Sequence, residues 1–285
     1  MGHEVRLKCE TLQRSGSFKA RGALNYVLQL PQEVLAGGVI TYSSGNHGQA
    51  VALAAKLKGV RAVVVMPITT PPIKIKGCER LGAEIVLEGT TSLERKARAE
   101  AIAEAEGLAI VPPFDHEWII AGHGTIGLEI HEDWPEVDTV LVPVGGGGMV
   151  SGVCAALRRL RPGIRLVGVE PTGAASMLAA LVAKRPVTLT STRTIADGLA
   201  PVRTGDVTFE HVRQLADDVV TVDDGVIREA ARILLLRRKL VVEYSGAVTV
   251  AALLSGAVRS PGRTVAILSG GNLDPAIMME LAGGT

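Results

Sequence analysis

Residues 139–152 read Thr-Val-Leu-Val-Pro-Val-Gly-Gly-Gly-Gly-Met-Val-Ser-Gly. An unbroken apolar run leads into four glycines, and a helical pattern follows. A strand with one wet face would alternate apolar and polar residues. A continuous run predicts a strand covered on both faces, as in a parallel sheet. The glycines let backbone N–H groups turn toward an anion, and the dipole of the following helix favours negative charge there. No Gly-Lys-Ser/Thr ends the loop, which argues against a nucleoside-triphosphate site. A dinucleotide loop also fits poorly so far into the chain. The plainer alternative is a tight turn.

Outward from this stretch the same layout recurs. Apolar runs at 38–42, 62–66, 84–87, 166–169 and 264–268 are continuous in the same way. Between them, segments such as 49–58, 91–106 and 223–238 space their apolar residues as helices do. This alternation predicts an α/β protein with doubly wound, mainly parallel sheets. There is no internal repeat and no linker, so a second domain is expected as an insertion rather than strung on in series.

Composition narrows the partners. Lys plus Arg number 30 against 29 Asp plus Glu, which gives no long-range field to attract nucleic acid or a membrane surface. The basic clusters at 158–161 and 237–239 fall at predicted helix ends, where they complement the dipole. Cys9, Cys78 and Cys154 have no zinc-site spacing, and their odd number argues against a disulfide framework. The first ten residues carry no apolar signal-peptide core, and no run approaches the roughly 20 apolar residues of a membrane span. The expectation is a soluble, cytoplasmic protein acting on a small molecule.

Three further motifs follow strands or open helices. In 15–23, Ser-Gly-Ser-Phe-Lys-Ala-Arg-Gly-Ala, Ser17 is the expected N-cap of a helix over 18–30. Lys19 then lies in the first turn, where the dipole and burial both favour a neutral, nucleophilic amine. The alternative is an exposed helix lysine. In 43–49, Ser-Ser-Gly-Asn-His-Gly-Gln follows a strand, at the sheet end where ligands bind. His47 there is an acid or base, or simply packs at the helix start. Ser269, in Leu-Ser-Gly-Gly-Asn after the last apolar run, faces a ligand or fills a turn.

Together these four motifs, in this order, resemble the tryptophan-synthase-β-like pyridoxal-phosphate enzymes, and within them the serine/threonine dehydratases with serine racemase. The likeness runs from about Leu7 to Asp274 and includes Pro113-Phe114-Asp115, Ile119 to Gly122, Gly124-Thr125, Ile195 to Gly198 and Asp217 to Val219. It implies a fold type II enzyme of two domains, a large one from 1–37 and 119–285 and an inserted small one at 38–118. It also implies pyridoxal phosphate on Lys19 as a Schiff base, with Phe18 beside the ring. Asn46 would meet the ring hydroxyl, Gly145, Gly146, Gly147, Gly148 and Met149 the phosphate, and Ser269 the pyridine nitrogen. Ser43, Ser44, Gly45 and His47 would form the substrate pocket, with Lys19 and Ser44 as catalytic groups on opposite faces.

The implied reaction is dehydration and deamination of L-threonine or L-serine by a homo-oligomer, dimer or tetramer. Serine racemase, 3-hydroxyaspartate dehydratase and a catalytically weak cofactor-binding protein are the alternatives. Several positions depart from the pattern. His123 stands where Gln is usual, and Tyr244 where Pro is usual. The segment before the lysine motif is short by about a strand and a helix. The likeness ends near Asp274, so no regulatory domain is expected. The metal site of some members aligns with Glu170, Ala174 and Ser176, where the serine replaces an acid, so no metal is expected.

Overall fold

The computed structural model describes residues 4–43, 45–70, 72–259 and 262–283. In chain order they form β1 (Val5–Cys9), α1 (Lys19–Gln29), α2 (Gln32–Leu35), β2 (Val39–Tyr42), α3 (Asn46–Lys58), β3 (Ala62–Met66), α4 (Pro72–Glu79), β4 (Glu84–Leu87), α5 (Ser92–Glu106), β5 (Ala109–Ile110) and α6 (Glu117–Asp133). Then come β6 (Thr139–Pro143), α7 (Gly148–Leu160), β7 (Arg165–Pro171), α8 (Ser176–Ala183), α9 (Asp206–Leu215), β8 (Asp218–Val222), α10 (Asp224–Arg238), α11 (Tyr244–Leu254), β9 (Thr264–Leu268) and α12 (Pro275–Gly283).

The strands make two parallel sheets, one ordered β1-β9-β6-β7-β8 and the other β4-β3-β2-β5. The continuous apolar runs are explained by cores on both faces. In β6, Val140 and Val142 face the core built with α6 and α7, while Leu141 faces the one built with α10 and α11. In β3, Val64 and Met66 pack toward α3, and Val63 and Val65 toward α5. The smaller sheet lies in sequence between β1 and β6, and α1 adds Ala23 and Val27 to its α3-side core. Helix α6 touches both α1 and α7, and glycines permit it. A Cβ on Gly152 would come within 2.2 Å of the Ile120 carbonyl, and one on Gly122 within 2.6 Å of that of Arg21.

In the larger sheet, winding runs from β6 through β7 to β8, then returns to place β9 on the other side of β6. The loops leaving the C-terminal ends of β6 and β9 therefore diverge across a switch point, where ligands of open α/β sheets bind.

Some expectations need correction. Ser17 does not cap α1; Phe18 holds the N-cap position in a helical conformation. Ser17 instead bridges Gly270, and its buried Oγ has no partner among the described residues. Strands β1 and β8 are interrupted by charged or polar residues, β5 is only two residues long, and none of the three was expected. The basic clusters do sit at helix ends, where Arg158 donates to the Pro162, Ile164 and Leu215 carbonyls and Lys239 to that of Leu236.

Candidate active site

A cleft of about 620 Å³ opens at the switch point. The described motif residues meet in it: Phe18 and Lys19, then Ser43, Gly45, Asn46 and His47, then Gly145 to Met149, and Ser269. Ser44 lies outside the described residues.

Lys19 begins α1, and its Nζ donates to the Pro113 carbonyl at 2.5 Å. Burial lowers the amine to about 8, because removing water penalises the charged form. The Phe18 N–H donates to the Ser269 carbonyl at 3.0 Å, which ties the lysine turn to the end of β9.

The four glycines close the end of β6. Gly147 adopts φ +97°, in the left-handed region that side chains avoid, and serves as N-cap of α7. Among the described residues no side chain caps that helix start, so its amides and dipole are available to an anion. A Cβ on Gly146 would come within 2.4 Å of the Phe114 ring.

The α3 turn is polar. The Gly45 N–H donates to Ser43 Oγ at 3.3 Å. Asn46 Nδ2 donates to Glu243 Oε1 at 2.5 Å, and Asn46 Oδ1 accepts from Asn272 Nδ2 at 2.7 Å. One Asn46 N–H remains for a ligand, since an amide nitrogen carries two. His47 is buried, with Nε2 3.2 Å from the Val111 carbonyl, which can only accept. Burial, then the Lys19 charge, pushes it down to about 3. It is neutral at physiological pH and packs, as the plainer reading had it.

Motif reading assigned no role to Glu243, Asp197 or Pro113 and passed over Lys74. Glu243 is buried beside Asn46, and burial, then the Asp197 charge, raises it to about 7. Lys74 Nζ pairs with Asp197 Oδ2 at 2.5 Å, joining α4 to the 197–199 turn at the cleft rim. Arg95 lines the same rim, and its buried Nε has no partner among the described residues. The one sequence signal for Glu243 is an acid wedged between Val242 and the apolar α11; for Lys74 there is none.

Elsewhere, both carboxylate oxygens of Glu170 accept α8 amides, from Met177 at 2.8 Å and Leu178 at 2.9 Å. The neighbouring Ser176 Oγ is buried without a partner among the described residues.

A family profile described as "Pyridoxal-phosphate dependent enzyme" matches residues 1–270. An L-threonine ammonia-lyase of Geobacter sulfurreducens is 46% identical over 275 residues, covering 96% of this chain and 68% of that protein. A serine racemase of Oryza sativa is 40% identical over 286 residues, covering 98% and 84%. The structure of maize serine racemase superimposes with TM-score 0.94 at 38% identity, covering 99% of this chain and 87% of that one. The residues present fit such a cofactor: a lysine amine eased toward neutrality, an uncapped glycine-lined helix start for a phosphate, and a hydroxyl and an amide between them.

Proposed function

The chain belongs to the pyridoxal-phosphate dependent enzyme family and has the fold type II architecture, and on that premise we propose that it is a dehydratase, an ammonia-lyase that turns L-threonine or L-serine into 2-oxobutanoate or pyruvate and ammonia. The observation that carries this is one cleft holding both the Lys19 amine, lowered to about 8, and the uncapped start of α7. Relatives named L-threonine ammonia-lyase and L-threonine dehydratase support the substrate.

Lys19 would hold the cofactor covalently, the amides of Gly145 to Met149 its phosphate, Asn46 its ring hydroxyl and Ser269 its pyridine nitrogen. When bound, the cofactor supplies an electron sink for bonds broken at the substrate Cα. The free Lys19 amine takes the Cα proton, which a neutral amine of depressed basicity does readily near pH 8. Ser269 is uncharged and cannot hold a proton at a ring nitrogen as an aspartate would, which favours expulsion of the β-hydroxyl over amino-group transfer. The start of α3, with Ser43 and Gly45, takes the substrate carboxylate by amides and dipole. Ser44 belongs to this pocket on the motif alone. Cytoplasmic residence and homo-oligomeric assembly, as dimer or tetramer, complete the reading.

The test is release of 2-oxo acid from L-threonine and L-serine by the cofactor-loaded enzyme, with chiral analysis of recovered serine. Rapid 2-oxo acid release is expected. A coloured protein that releases none would be a cofactor binder only, and D-serine in excess of pyruvate would make it a racemase. Arg95 and Lys74 at the rim favour one second substrate, 3-hydroxyaspartate, whose extra carboxylate would meet them, so it belongs on the same panel.

A further inference from the structure

Three consecutive residues between β5 and α6 each reach a different part of the cleft. The Pro113 carbonyl accepts from Lys19 Nζ at 2.5 Å. The Phe114 ring lies against Gly146, where a Cβ would come within 2.4 Å of it, and the Phe114 Cβ lies 3.0 Å from where a Gly148 Cβ would stand. The Asp115 carboxylate accepts three backbone N–H groups, from Asp206 at 3.0 Å, Val207 at 3.0 Å and Thr208 at 3.1 Å.

Those three amides open α9, whose own N-cap, Gly205, offers no side chain. Asp115 thus caps from 91 residues away a helix that would otherwise expose its first amides. The carboxylate also sits favourably at the positive end of the helix dipole. What the cap holds in place is Thr208. Its Oγ1 donates to the Gly146 carbonyl at 2.7 Å, and its Cβ lies 2.8 Å from where a Gly147 Cβ would stand. In a trans peptide the carbonyl and the next N–H point to opposite sides. Fixing the Gly146 oxygen toward Thr208 therefore aims the Gly147 N–H the other way. Glycines have no side chain to set this direction, so an outside tie must.

We propose that Asp115 is a positioning residue for the glycine loop, acting through α9 and Thr208 to hold the Gly146–Gly147 peptide in the orientation that receives the cofactor's phosphate. This rests on the reading that the loop takes that phosphate, and the experiment separates the two. Cofactor is removed from the full chain, and dissociation constants are measured by absorbance titration for pyridoxal phosphate and for pyridoxal, which lacks the phosphate. The proteins are wild type, Asp115→Ala, Asp115→Asn and Thr208→Val. Thr208→Val keeps the cap and the side-chain shape but removes the 2.7 Å bond to the Gly146 carbonyl, leaving it the longer 3.4 Å bond from the Gly205 N–H, so it serves even where Asp115→Ala folds poorly.

The wild type should strongly prefer the phosphorylated ligand. That preference should fall about tenfold or more in Asp115→Ala and Thr208→Val, the size of one lost hydrogen bond to a charged group. Pyridoxal binding should stay within about twofold, and Asp115→Asn, which retains an acceptor, should lie between. An unchanged preference in Thr208→Val, or parallel weakening of both ligands, overturns the proposal while leaving the site reading intact. A wild type without preference for the phosphorylated ligand removes the site reading and the proposal with it.

Discussion

Lys19 owes its chemistry to burial: loss of water alone accounts for the fall of its amine to about 8. The sequence placed it in the first turn of a helix, but the Pro113 carbonyl that it meets is 94 residues away and no local pattern announces it. The sign of the shift makes a prediction. A lysine with its value lowered is neutral above about 8 and charged below, so about a tenth is reactive at pH 7. The rate at which the cofactor-free protein takes up pyridoxal phosphate should rise about tenfold from pH 7 to 9 with a midpoint near 8, and a pH-independent rate would contradict the assignment. Borohydride reduction of the loaded protein should label Lys19, and Lys19→Ala should abolish the label; label on another lysine would refute it. Glu170 makes a second prediction. Its carboxylate is engaged by two α8 amides and is raised by burial to about 7, and Ser176 beside it is neutral. Hard cations bind more weakly as charged oxygen donors are removed. Activity and thermal midpoint should not respond to a chelator or to excess magnesium, whereas a large reversible loss on chelation would show a working metal site.

Among elements, the interior strands were legible from their burial, and the half-exposed edge strand β4 was read as well from its run at 84–87. Strands β6 and β9 lie inside the larger sheet and β2 and β3 inside the smaller, and their continuous apolar runs announced them. Strand β1, Val-Arg-Leu-Lys-Cys, is an edge paired only with β9, so charged residues are tolerated and the pattern breaks. Edge strand β8 pairs only with β7 and went unread for the same reason. The start of α1 was misread because the helix is fixed by tertiary contacts rather than by a local cap. Chief among them is Arg21, which makes bidentate pairs with Glu10, after β1, and with Glu129 of α6, and also donates to Thr125. The Glu10 side chain is 2% exposed, so removing its partner would strand a buried charge. Arg21→Met should therefore lose about 3–5 kcal/mol of folding stability in urea titration. Arg21→Lys should lose less, because the charge survives but the forked geometry does not. A loss below about 1 kcal/mol in Arg21→Met would mean that the network does not hold α1.

At the scale of the whole molecule, the described motif residues converge on one cleft, as their common place after strands and at helix starts implied. The groups that tune the cleft are another matter, because Glu243 reaches Asn46 across 197 residues of sequence. These buried groups also set how the molecule responds to pH. His47 and His123 are buried and driven toward the neutral form, which adds stability as pH rises toward 6.5. Glu170 and Glu243 oppose them. Each is raised from 4.5 to about 7, so between those values the folded chain binds more protons than the unfolded one and stability falls as pH rises. The two trends partly cancel in the wild type, and only a difference between variants isolates one group. Glu243 faces Asn46, Lys74 and Asp197, and a glutamine there keeps the shape and can still accept from Asn46. Below about pH 4.5 both side chains are neutral, and Glu243→Gln should match the wild type in stability. Through the window up to about 7 the variant should gain progressively on the wild type, by at most about 3 kcal/mol, and the gain should level off above it. Urea titrations of both proteins across this range measure the difference directly. A gain that does not change with pH would show that Glu243 titrates in the folded chain as it does in water, and that burial does not govern it.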